Sequence, residues 1–322
     1  LPGRVGTDPQ ALPAMPGAKG TVGLLVLRSY VLAGNAAHYD GVIRSLEARG
    51  LSVLPVFATG LDAREAIDAF LVRDGRPVVD ALVSLTGFSL VGGPAYNDSA
   101  AAEATLVQLG VPYVAAHPLE FQTLEEWGAS GRGLLPVENT IMVAIPEIDG
   151  AIHPTVFGGR AAGAGEPCTG CERLCHFPSN RDGREMQSCP ERAGMIAARV
   201  DRMIRLRRLA RAERKVAVVL FNFPPNAGNT GTAAYLAVFE SLFNTLTAMA
   251  SAGYRVDLPA DVDALRQRIL EGNAARYGTM ANVAHRIPAA DHVRREPHLA
   301  EIEAQWGPAP GKQQSDGAGL FV

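Results

Sequence analysis

The chain has 322 residues, 47% hydrophobic, 20% charged and 6% aromatic, with 34 Gly and 22 Pro. That balance excludes disordered, collagen-like and disulfide-stapled classes and leaves room for about two domains. Its 30 Lys and Arg against 33 Asp and Glu give a formal charge of -3, no global attraction for nucleic acid or an anionic membrane.

Residues 1–20 carry four Pro and four Gly without periodicity and read as a linker. Leu at position 1 and an apolar GLFV at the end read as a piece of a longer polypeptide. From Thr21, TVGLLVL is a buried-type strand, and Tyr39, Val42, Ile43 and Leu46 recur at helical spacing until Gly50. The alternation continues through strand LSVLPVF, helix DAREAIDAFLVRD, strand ALVSL, the Gly-rich loop TGFSLVGGPAYNDS, helix AAAEATLVQLG and strand PYVAA. It predicts a parallel sheet with helices on both faces, a first α/β domain over 21–150.

The pattern weakens from about 116 to 190, so 151–214 is expected to be an irregular cysteine-containing loop region followed by a basic helix from Pro190. One helix face carries Met195, Ile196, Val200, Met203 and Ile204, the other Arg192, Arg199, Arg202, Arg205, Arg208 and Arg211. With a net negative chain, the basic face reads as a solvated surface against an acidic domain rather than a nucleic-acid helix. A second α/β domain over 215–322 opens with strand KVAVVLFNF, loop PPNAGNTGT and a helix from Ala233 to about Ala252; strand RVDLP and helix DVDALRQRILEG follow. The fold class is therefore α/β, two Rossmann-like or flavodoxin-like parallel-sheet units joined by the cysteine region and the basic helix. No apolar run reaches the ~18 residues of a spanning helix, and no signal-peptide pattern opens the chain, so a cytoplasmic protein without a transmembrane segment is expected.

All four cysteines fall within 22 residues, as Cys168-x2-Cys171-x3-Cys175-x13-Cys189. Four thiolates so gathered suit a metal, and a tight trio plus one remote Cys followed by Pro190 points to a [4Fe-4S] cluster, with Zn2+ as the alternative. Four reduced thiols or two disulfides is the bland reading. The strand-to-helix loop containing Asn226, Gly228, Asn229, Thr230, Gly231 and Thr232 offers backbone N–H groups to an anion; a tight connection capped by Thr230 or Thr232 explains the same letters. Glu147, Asp149 and His153, punctuated by Pro146, Gly150 and Pro154, form a loop cluster suited to metal or proton handling, although an Asp-Gly pair is more commonly a self-capped turn. Walker, GxGxxG, GxSxG and HExxH motifs are absent from the sequence.

The stretches KVAVVLFNFPPNAGNTGTAAYLAVFESLFNTLTAM, AIPEIDGAIHPTVFGGR and QWGPAPGKQQSDGAGLFV resemble the large porphyrin-binding subunit family of magnesium chelatase, related to the cobaltochelatase large subunit. The resemblance spans the chain from about residue 20. It implies ATP-dependent insertion of Mg2+, the substrate metal, into protoporphyrin IX in (bacterio)chlorophyll synthesis. ATP would be hydrolysed by AAA+-type partner subunits, one with an integrin-like domain, and a Mg-protoporphyrin methyltransferase would act downstream. The family's metal-inserting region has no counterpart before Val322, so no catalytic residue is assigned within this chain. The resemblance also gives the cysteines a structural or oxygen-sensing role, and places Glu147, Asp149, His153 and the 226–232 loop as candidate porphyrin contacts. Competing readings are a cobaltochelatase large subunit, a non-enzymatic iron-sulfur redox or oxygen sensor, and a flavodoxin-like or nucleotide-binding module.

Overall fold

The computed structural model describes residues 5–9, 12, 15–93, 95–163, 167–171, 173–178, 185–221, 230, 231, 233, 235–272, 283, 285–308 and 318–321. Two compact units divide the chain, Leu1–Arg208 and Leu209–Val322.

The first unit is built on β1 (Thr21–Leu25), β2 (Ser52–Val56), β3 (Ala81–Ser84), β4 (Tyr113–Thr123), β5 (Ile152–Arg160) and β6 (Met186–Ser188). They lie in the order β6-β5-β4-β3-β1-β2, parallel throughout except for antiparallel β6 beside β5. The apolar runs of β1 and β3 follow from burial on both faces. Val22, Leu24, Ala81 and Val83 enter one core, while Leu25 and Leu82 enter the other.

Helices α1 (Arg28–Leu32) and α2 (Ala37–Glu47) follow β1, α3 (Arg64–Phe70) follows β2, α4 (Ser99–Leu109) follows β3, and α5 (Leu124–Ala129) follows β4; α6 (Pro190–Arg208) closes the unit. Tyr39, Val42 and Leu46 of α2 join Ala193, Ile196, Val200 and Ile204 of α6 on one face of the sheet. Ile67 of α3 and Ala102 and Leu109 of α4 pack on the other. Local chemistry sets the helix starts: Asp98 accepts from the Ala101 N–H at 3.0 Å, and Thr123 with Glu126 forms a reciprocal capping box at α5.

Two expectations over 116–190 are corrected. The stretch IHPTVFGGR is not a loop but strand β5, and Met186–Ser188 adds an edge strand. Pro154, Gly158 and Gly159 look like breakers, yet the glycines are required by close backbone approach. A Cβ on Gly159 would lie 2.5 Å from Leu119 Cβ and 2.7 Å from its N, and one on Gly158 would collide with the Gln187 carbonyl.

The basic helix ends at Arg208, earlier than 214, and three of its arginines hold partners within the unit. Arg208 forks onto Asp80 at 2.7 Å, Arg207 donates to the Gly110 carbonyl at 2.7 Å, and Arg199 donates to Thr155 Oγ1 at 3.1 Å.

The second unit holds β7 (Arg286–Pro288), β8 (Gly319–Phe321), α7 (Val238–Ser251), α8 (Val262–Leu270), α9 (Ala289–Arg295) and α10 (Leu299–Trp306). Asp261 caps α8 through the Ala264 N–H at 2.7 Å. Strands expected at KVAVVLFNF and RVDLP are absent among the described residues; β7 and β8 form an antiparallel pair instead. No helix among the described residues is long and apolar enough to cross a membrane.

Candidate functional site

Three elements of the first unit bring the cysteines to one place. Helix α5 follows β4, the loop with Cys168, Cys171 and Cys175 follows β5, and Cys189 sits between β6 and α6. All four line a single small cavity of about 10 Å³ together with Leu124, Trp127, Gly170, Phe177, Glu191 and Arg192.

Each cysteine is placed by backbone chemistry. Cys168 is 8% exposed, its N–H donates to the Cys175 carbonyl at 2.8 Å, and its thiol donates to the Leu124 carbonyl at 3.5 Å. Leu174 donates to the Cys171 carbonyl at 3.3 Å and adopts φ 47°, a left-handed conformation that costs energy in a leucine and closes the turn between Cys171 and Cys175. The Cys189 N–H donates to the Phe157 carbonyl at 2.9 Å, and its own carbonyl accepts from Ala193 at 2.9 Å, the first turn of α6. Gly128 and Gly170 meet backbone to backbone beside the Cys168 sulfur, where a Cβ on Gly128 would lie 2.9 Å from Sγ. The Arg192 guanidinium covers the Trp127 ring at 5.0 Å.

Hydrogen bonding to Glu191 pushes the Cys171 thiol above its ordinary range, and burial followed by neighbouring charge does the same for Cys175. Burial raises Cys189. Among the described residues no three His, Cys, Asp or Glu side chains stand in a finished metal-binding arrangement.

Glu147, Asp149 and His153 occupy different environments. Glu147 is exposed in the short helix Ile145–Ile148, and His153 is exposed on β5 with φ 57°. Asp149 is 2% exposed; its Oδ2 accepts from Ser89 Oγ at 2.6 Å and from the Leu90 N–H at 2.8 Å. It therefore anchors the loop after β3 rather than capping its own turn. In the 226–232 loop, Asn226, Gly228, Asn229 and Thr232 lie outside the described residues, whereas Gly231, φ 71°, donates to the Phe221 carbonyl at 3.2 Å.

Sequence reasoning missed Trp127, Phe177 and Arg192, because they reach the cysteine cavity from separate elements. It also missed His38 and His117, 0% and 2% exposed, whose ring nitrogens have no hydrogen-bond partner among the described residues.

Fold and site together define a mixed α/β protein on a mostly parallel six-stranded sheet, with a cysteine-lined cavity near the antiparallel edge. The chain belongs to the CobN/Magnesium Chelatase family, whose model matches residues 11–322. It is 55% identical over its whole length to a magnesium-chelatase subunit of Cereibacter sphaeroides, of which it spans 27%. Against the chloroplastic magnesium-chelatase subunit ChlH of Oryza sativa it is 39% identical over 94% of the chain and 21% of that protein. Among solved structures, the catalytic subunit of cobaltochelatase from Mycobacterium tuberculosis superposes with a TM-score of 0.70 and 26% identity, covering 97% of this chain and 26% of that one. The chain thus spans about a quarter of the length of these relatives.

Proposed function

We propose that the chain forms part of the porphyrin-handling subunit of a magnesium chelatase, which inserts Mg2+ into protoporphyrin IX while AAA+-type partner subunits hydrolyse ATP. The carrying observation is 55% identity over the full chain to a magnesium-chelatase subunit, against 27% over 89% of the chain to the aerobic cobaltochelatase subunit CobN of Sinorhizobium. Chelation requires loss of two pyrrole N–H protons and stripping of the Mg2+ hydration shell. The metal-inserting groups lie elsewhere in the subunit. Reconstitution of the complete subunit with its ATPase partners is expected to show Mg2+ insertion into protoporphyrin; preferential Co2+ insertion into a corrin precursor would move the assignment to the cobalt branch.

The first unit supports the flavodoxin-like form of the α/β reading, since its parallel strands follow the 2-1-3-4-5 order of doubly wound sheets. Residues 215–322 form the start of a second α/β domain. Val216, Val218, Val219 and Phe221 are 56%, 50%, 90% and 72% exposed, and α7 buries no residue despite its Phe and Leu content. Such exposure is expected of an apolar segment and a helix whose packing partners are supplied elsewhere in the polypeptide. Limited proteolysis of the 322-residue chain is expected to leave a resistant core ending near Arg208 and to degrade the rest. Equal resistance of both units would contradict this.

As a donor set, the four cysteines suit an iron-sulfur centre, with Zn2+ as the second reading. Cys168, Cys171, Cys175 and Cys189 would hold it, Trp127, Phe177 and Leu124 would limit water, and Arg192 lies on the same cavity wall. An iron-sulfur centre supplies redox and oxygen sensitivity, not a step of chelation. Cys168→Ser is expected to reduce iron and acid-labile sulfide to background and to abolish the subunit's oxygen sensitivity. Unchanged iron and unchanged sensitivity would retire the centre, and stoichiometric zinc in the unsubstituted protein would select the alternative.

A further inference from the structure

In the parallel order 2-1-3-4-5 the connection after β1 runs to one face of the sheet and the connection after β3 to the other, so their ends part and leave a crevice beyond the carboxyl ends of the strands. The protein has a cavity there, about 30 Å³, lined by Arg28 after β1, Phe57 and Leu61 after β2, and Ser84, Thr86 and Phe88 at the end of β3. This is a different place from the cysteine cavity.

The wall formed by the β3 loop is held by side chains together with single backbone bonds, among them the Ala63 N–H on the Leu90 carbonyl at 3.0 Å. Ser84 Oγ and Thr86 Oγ1 are 3.0 Å apart, and the Phe88 N–H donates to Thr86 Oγ1 at 3.3 Å. The next two residues are fastened from beneath by buried Asp149, which takes the Ser89 hydroxyl and the Leu90 N–H. Burying a carboxylate is costly, and here it fixes a surface loop at the edge of a crevice, the kind of support a binding site requires. The mouth carries the exposed Arg28 guanidinium, which has no ion-pair partner among the described residues, whereas the neighbouring Arg64 is tied to Asp62 at 2.6 Å.

We propose that this crevice binds an oxyanion, the carboxylate or phosphate of a ligand whose apolar body lies against Phe57, Leu61 and Phe88, with Arg28 and the Thr86 hydroxyl as its polar contacts. The enclosed volume suits the head of a ligand, and a larger body remains outside against the apolar wall. Only the carboxylate arm rests on the porphyrin reading, through a propionate side chain.

Calorimetric titration of the intact chain with inorganic pyrophosphate, deuteroporphyrin IX and the porphyrin's dimethyl ester tests the site. Saturable binding of pyrophosphate assigns a phosphate ligand; binding of the free acid but not the diester assigns a carboxylate. In either case Arg28→Glu is expected to weaken binding at least tenfold with its urea midpoint unchanged, and Thr86→Val to weaken binding severalfold. Absence of saturable binding by any probe overturns the proposal. So does equal binding of deuteroporphyrin by the unsubstituted chain and Arg28→Glu, a result that leaves the porphyrin reading standing with the ring held elsewhere.

Discussion

Replacing Gly159 by alanine is expected to destabilise the first unit by about 3 kcal/mol or more, enough to unfold a domain of ordinary stability under mild denaturant. Gly159 faces Leu119 across the β4–β5 ladder, and the added methyl would meet Leu119 Cβ at 2.5 Å and its backbone N and O at 2.7 Å. Two of these three atoms belong to the β4 backbone, which cannot rotate aside as the end of a flexible side chain can. Gly158 is closed in the same way by the Gln187 carbonyl of β6. The two glycines let β5 lie between β4 and β6, and β6 leads directly into Cys189. Urea-unfolding midpoints of the unsubstituted chain and Gly159→Ala check this, with Gly60→Ala, which has nothing within 4 Å of its Cβ position, as the control. A Gly159→Ala midpoint equal to that of the control would mean the strands separate more easily than their register implies.

How far the fold could be read depended on where each segment's partners lie. Strands β1 and β3 were legible because residues buried on both faces leave continuous apolar runs, and α2 because Tyr39, Val42 and Leu46 recur at helical spacing. Strand β5 was not, since close approach to Leu119 and Gln187 demands the residues that elsewhere mark a turn. Asp149 before Gly150 reads locally as a turn cap, but its partner is Ser89, 60 positions away, and no local pattern carries that distance. The spacing of the cysteines did carry their gathering around one cavity, while the aromatic and basic residues around them come from α5 and the start of α6 and leave no local signal. KVAVVLFNF has the letters of a strand, yet a strand exists only with a neighbour, and the described residues supply none.

Lowering the pH from 7 to 5 is expected to remove about 4 kcal/mol of stability from the first unit, through two buried histidines. His38 lies in the core at 0% exposure, 3.8 Å from the Tyr39 ring, 5.1 Å from Tyr30 and stacked on Phe157 at 5.8 Å. Burial alone pushes it down from 6.5 to about 3, and His117 on β4 down to about 4. Because the folded protein refuses protons that the unfolded chain accepts, this stability is fully present above pH 6.5. It declines as pH falls, at up to about 1.4 kcal/mol per histidine per pH unit, until the folded-state values are passed. Glu120, which accepts from the Tyr30 hydroxyl at 2.9 Å, works in the opposite sense. Burial raises its carboxyl above the usual 4.5, so the folded protein takes up that proton before the unfolded chain does and offsets part of the histidines' loss as pH falls. Exchanging His38 for phenylalanine keeps a flat ring between Tyr39 and Phe157 and removes the two unpaired nitrogens. His38→Phe is therefore expected to show about half the acid loss, read as the difference between urea midpoints at pH 7 and pH 5. Identical midpoints at both pH values in the unsubstituted chain would show that these imidazoles reach water or a proton acceptor in the folded state.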